Sequence, residues 1–155
     1  MAPCLKWKGL YRCGKRVEKE VLSDTQPKTG AEMVADAKGR IENLTVEQAV
    51  TEIEEGSVTL VDIREDDERT QNGAIPNSVR APRGMLEFWA DPSSPYHREE
   101  FDPDRRFILY CASGGHSALA ADTLQRMGYE NVCRLDGEFT AWKEQGNPVE
   151  EAPPR

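Results

Sequence analysis

Two stretches constrain what this chain can become more than any others: SVTLVDI at 57–63 and RRFILYC at 105–111. Each is apolar through its middle, without the in-out alternation of a strand that faces water on one side. A strand apolar on both faces has to be covered on both, as strands inside a parallel sheet are. Helical patterns surround the two runs. TGAEMVADAKGRI (29–41) puts Met33, Ala37 and Ile41 on one stripe. TVEQAVTEIEEG (45–56) opens with the capping-box spacing Thr45 to Gln48, carries Val46, Ala49, Val50 and Ile53 on one face and stops at Gly56. RGMLEFWAD (83–91), SALAADTLQRMG (117–128) and GEFTAWKEQG (137–146) supply three more helices. IENL (41–44), VRAP (79–82) and NVCRL (131–135) read as short strands. This alternation predicts the α/β class, an open, mostly parallel sheet with helices on both faces.

Residues 1–27 read as a basic leader, 28–149 as one domain and 150–155 as a loose tail. Charge separates the first part from the rest. Residues 1–40 hold nine Lys/Arg and five Asp/Glu, a local +4; residues 41–155 hold eleven and twenty-three, a local −12. An acidic body argues against nucleic acid as a partner. No stretch approaches the length of a membrane span, and the leader lacks the apolar region of a secretory signal. The four cysteines, Cys4, Cys13, Cys111 and Cys133, form neither a C-x-x-C pair nor a dense framework. That spacing fits free thiols in a reducing cytoplasm and gives no zinc pattern. No metal and no organic cofactor is expected.

The most informative residues are CASGGHSALAAD (111–122). In a parallel sheet, ligands bind beyond the carboxyl ends of the strands. Cys111 ends a strand there, and a helix begins near Ser117. Ala112, Ser113, Gly114 and Gly115 have little side chain to fill the turn, so their N–H groups can converge as an anion nest backed by the helix N-terminus. Such a site favours thiolate over thiol, and a depressed pKa at Cys111 is expected. Cys133, inside the apolar NVCRL, reads as a buried structural cysteine.

At this point the chain resembles a single-domain rhodanese. The similarity runs from about KTGAEMV to NPVE and rests, in order, on VDIRE, GAIPNSVRAPRGMLEFW, LYCASGGHSALAADTLQRMGYENV and RLDGEFTAW. The resemblance implies a sulfurtransferase. Its cysteine takes a sulfane sulfur from a donor such as thiosulfate, becomes a persulfide, and passes the sulfur to a thiol or cyanide. It makes Cys111 the nucleophile and Ala112, Ser113, Gly114, Gly115 and His116 the cradle, with Ser117 opening the helix. Loop length separates this family from cysteine phosphatases, which place five residues between the cysteine and a required arginine. Here that position is Ser117, which supplies no cation.

The chain departs from the family pattern in three places. His116 stands where relatives carry Arg; a histidine titrates near pH 6.5, so anion capture is expected to weaken as pH rises. Gly115 replaces a bulky residue, which predicts a more open loop. Glu138 replaces the second glycine of an LDGG turn, where a positive φ would strain it and its charge would approach the anion site. Together these admit a second reading, a weakened or non-catalytic relative that binds a partner or senses redox state.

Other residues have a place in the scheme. Asp62 ends the first buried strand and is expected either to orient the loop by hydrogen bonds or to cap the next turn. Arg64 and Glu68 are spaced to pair. Arg83, in PRGMLEF, matches the family stretch near the pocket mouth and is expected either to recruit an anionic donor or to stand as a solvated cation at the helix start. Phe88 and Trp89 are expected in the core, and His97 in a solvent-facing, proline-rich loop.

Overall fold

The structure is a computed structural model that describes residues 27–153. The expected roles for Cys4, Cys13 and the leader before Pro27 fall outside those residues. Helices α1 (Gly30–Arg40), α2 (Val46–Glu55), α3 (Asp66–Asn72), α4 (Leu86–Ala90), α5 (His116–Arg126) and α6 (Glu138–Glu144) alternate with strands β1 (Glu42–Leu44), β2 (Val58–Asp62), β3 (Val79–Arg80), β4 (Arg106–Tyr110) and β5 (Val132–Leu135). The strands form one sheet in the order β1-β5-β4-β2-β3, with every pair parallel. The two apolar runs, β2 and β4, pair along their whole length from Val58–Arg106 to Asp62–Tyr110. Burial on both faces is therefore met by mutual pairing at the sheet centre, as their composition requires.

Side chains alternate across the sheet and build two cores. Val61, Ile63, Phe107, Leu109 and Cys111 point to one face with Ala37 of α1, Leu86 and Trp89 of α4, and Ala118, Ala121 and Leu124 of α5. Leu60, Ile108, Tyr110, Cys133 and Leu135 point to the other, against Val46 and Ala49 of α2 and Phe139 and Trp142 of α6. Thr29 and Thr45 each close a capping box at the start of α1 and α2, which satisfies N–H groups that a helix start leaves unpaired.

Several expectations need correction. Met33 is exposed, although Ala37 and Ile41 of the same expected stripe are buried. Phe88 is 54% exposed while Trp89 is buried and stacks under the Arg98 guanidinium, 3.5 Å from the ring centroid; a five-residue helix has room for only one of two adjacent aromatics on its inner side. The acidic run after β2 opens a solvated helix, α3, with no buried residue. The tail is not loose from residue 150: Glu150 exchanges both backbone hydrogen bonds with Ala74, each 2.9 Å. His97 is half-buried, its Nδ1 3.0 Å from the Trp89 carbonyl.

Candidate active site

Cys111 follows β4 directly, at the carboxyl edge of the most central strand pair. The chain then turns through Ala112–Gly115 and enters α5 at His116. Two consecutive residues at the start of α6 hold the outer side of this turn. The Phe139 N–H donates to the Cys111 carbonyl (3.1 Å), and the Thr140 N–H and hydroxyl donate to the Ala112 carbonyl (3.2 and 3.0 Å). With its carbonyls engaged there, the turn leaves the N–H groups of Gly114 and Ser117 to favour a charge on the Cys111 sulfur. The sulfur faces the Gly114 carbonyl at 3.8 Å.

Gly115 is required by space rather than by conformation. A Cβ there would stand 2.3 Å from a Val34 methyl. Helix α1 therefore lies against the turn, and the expected opening of the loop is not found. A cleft of 240 Å³ borders the turn on its α6 side, lined by Arg64, Glu68, Ala112, Phe139, Thr140 and Lys143 among others.

Beneath the turn lies a cluster that sequence reading saw only in part. Glu138, 1% exposed, turns its carboxylate into the protein. Its Oε2 accepts the Cys111 N–H at 2.7 Å, and its Oε1 accepts the Ser117 hydroxyl and the Arg134 Nη2 at 2.8 Å. Arg134 Nε lies 3.1 Å from Ser117 Oγ, while Nη1 donates to Asn43 and Asp136, both at 3.0 Å. Glu138 has φ +59°, as its replacement of a glycine anticipated. Gly137 before it, at φ +75°, has no room for a Cβ, which would meet the Ala141 Cβ at 2.5 Å. Arg134 was not anticipated. The available signal was a lone arginine inside an apolar strand with a glutamate four residues on, since a buried cation requires a partner.

The expected depression of the Cys111 pKa is overturned. Burial pushes the thiol up, since the residue is only 4% exposed, and the Glu138 carboxylate pushes it further. The N–H groups of Ser117 and Gly114 and the Ser117 hydroxyl pull it back only in part. The nest is present, but desolvation and a like charge outweigh it.

The other expected residues are dispersed. Asp62 does not reach the loop. Fully buried, it accepts from the Arg64 Nε and Nη2 (3.0 and 2.8 Å), the Arg69 Nε (3.0 Å) and the Tyr110 hydroxyl (2.8 Å). Arg64 thus pairs with Asp62 rather than Glu68, and its guanidinium lies 4.0 Å over the Phe139 ring. Arg83 pairs with Glu87 at 2.5 Å and lines a groove between α1 and α5 to which no residue of 111–117 contributes. His116 is exposed and makes no side-chain hydrogen bond among the described residues. Cys111 and Cys133 are both free, but they lie on opposite faces of the sheet, so no disulfide can join them without unfolding it. Burial pushes the Cys133 thiol up to about 12.

Comparison with known proteins gives a consistent picture. The rhodanese-like domain profile matches residues 45–145. The thiosulfate sulfurtransferase GlpE of Shewanella oneidensis is 33% identical over 102 residues, which is 66% of this chain and 92% of that protein. The polysulfide-sulfur transferase homodimer of Wolinella succinogenes is 26% identical with a TM-score of 0.65, over 86% of this chain and 93% of its own. A Rhodopseudomonas palustris protein of unknown function, for which tyrosine phosphatase has been offered, is 43% identical with a TM-score of 0.75, over 81% of this chain and all of its own.

Proposed function

The chain belongs to the rhodanese-like family, and from that premise we propose that it is a sulfurtransferase working through a persulfide on Cys111. The observation that carries the reading is the placement of the Cys111 sulfur. It lies at the carboxyl end of β4, where the turn enters the N-terminus of α5, and the Gly114 and Ser117 N–H groups favour a charge on it. A negative charge on a sulfur attached there would meet those donors.

In the first half-reaction the Cys111 thiolate attacks the outer sulfur of thiosulfate. The S–S bond breaks and sulfite leaves with its electron pair, so Cys111 becomes a persulfide. In the second, a thiolate or cyanide attacks the outer sulfur and the Cys111 thiolate departs. No external oxidant or reductant enters. The partners are a small-molecule sulfur donor and a thiol or protein acceptor. Free thiols at both described cysteines suit a reducing compartment such as the cytoplasm.

Phosphatase chemistry fits this chain poorly. The position that would carry the phosphate-binding arginine is Ser117, which is buried, bonded to Glu138 and supplies no cation. A non-catalytic module is the reading that Glu138 favours, because its charge adds to burial in pushing the Cys111 thiol up.

Intact-protein mass spectrometry before and after thiosulfate separates these readings. Gain of one sulfur atom, removed by cyanide and absent in Cys111→Ser, is expected. No gain with thiosulfate or polysulfide between pH 6 and 9 sinks the sulfurtransferase reading. Replacing the exposed imidazole by a fixed cation, His116→Arg, should speed thiosulfate uptake on the order of tenfold at pH 8.

A further inference from the structure

We propose that Glu138 is the positioning residue of the Cys111 turn, and that its carboxylate governs when the sulfur becomes a nucleophile. The proposal rests on the sulfurtransferase reading for its biological meaning but not for its test.

Glu138 clamps the turn at both ends. One oxygen takes the Cys111 N–H at the entry, and the other takes the Ser117 hydroxyl at the exit. The next residue, Phe139, holds the Cys111 carbonyl. A side chain held at φ +59° when glycine would fit without strain indicates that the carboxylate does something for the site.

The central element is Ser117. It is fully buried and its hydroxyl donates its one hydrogen to Glu138 Oε1. Arg134 Nε donates to the oxygen from the other side at 3.1 Å. In the resting site the hydrogen is committed to Glu138, so it is withheld from the sulfur, which feels the carboxylate instead. Both effects disfavour thiolate. Charging the sulfur draws the hydrogen across to it and leaves Glu138 held by Arg134 and the Cys111 N–H. Ser117 therefore couples the charge on the sulfur to the ion pair behind it.

The other charged groups around the turn do not cancel this effect. Arg134, from β5, shares its charge with Asp136 of the following turn as well as with Glu138. Arg64 and Arg69 are committed to Asp62 at the end of β2. Lys143, one turn further along α6, lies 5.5 Å from the centroid of the Phe139 ring, and His116 is exposed at the start of α5.

The test is the pH dependence of Cys111 alkylation by iodoacetamide, a neutral probe, read on the Cys111 peptide by mass spectrometry in the full chain. Glu138→Gln keeps the shape and an acceptor for the Cys111 N–H while removing the charge. The alkylation midpoint is expected to fall by about one pH unit, with roughly tenfold faster labelling at pH 7. Glu138→Gly, which removes the backbone strain as well, should move it the same way and serves if the glutamine variant does not fold. A merely structural role lowers the melting temperature and leaves the midpoint where it is; a folded variant with an unchanged or higher midpoint overturns the proposal. Sulfur uptake, followed in parallel, tests the functional reading separately. A shifted midpoint without uptake keeps the role of Glu138 and discards the transferase.

Discussion

Two buried arginine–carboxylate clusters stand at the carboxyl edge of this sheet, one toward each core. Toward the α2 and α6 side, Asp62 gathers Arg64, Arg69 and the Tyr110 hydroxyl. Toward the α1 and α5 side, Glu138 gathers Arg134, Ser117 and the Cys111 N–H. Both satisfy the rule that a buried charge must be paired and hydrogen-bonded. They differ in what they hold. The Asp62 cluster ties strand ends and the adjoining α3 together, with ordinary backbone throughout. The Glu138 cluster reaches a loop that carries a reactive atom, and it does so from a left-handed residue. The first is built for stability; the second gives up some stability to place a charge under a sulfur.

That contrast can be broken by substitution. Asp62→Ala leaves Arg64, whose side chain is 1% exposed, without its carboxylate, and should cost about 3–5 kcal/mol of unfolding free energy by urea titration. Glu138→Gly should cost less, about 1–2 kcal/mol, because Arg134 keeps Asn43 and Asp136 and relief of the left-handed backbone returns part of the loss. An equal or larger loss at Glu138 would erase the distinction. Tyr110→Phe sharpens it at the smallest scale. Its hydroxyl donates to Asp62 and accepts the Ile75 N–H at 3.1 Å, so removal should cost about 1 kcal/mol while Cys111 alkylation kinetics stay unchanged.

The sheet was legible because β2 and β4 are apolar on both faces, a pattern that admits few alternatives. The cysteine turn was legible because small residues between a strand and a helix have few other uses. What escaped were long-range side-chain partners. Asp62 was placed at the correct edge, yet its choice of Arg64, Arg69 and Tyr110 over the loop depends on which face of the strand it occupies. The thiol's direction of shift escaped because its largest cause is burial: the nest is local in sequence, whereas desolvation depends on how distant elements pack around Cys111. Helix α3 gave no periodic signal because it buries nothing.

Helix α1 spans residues 30–40, while the family profile begins at residue 45. Yet Val34 lies against Gly115, Ala37 is fully buried, and Arg40 grips Asp122 of α5 through two hydrogen bonds of 2.8 and 2.9 Å. The span matched by the family profile and the packed unit are thus not the same length. A version trimmed to the matched span would carry every motif and still lack one wall of its reaction chamber. Grafting the cysteine turn into another scaffold would require a helix brought along from upstream, because the portability of this site is limited by a neighbour that carries none of its chemistry.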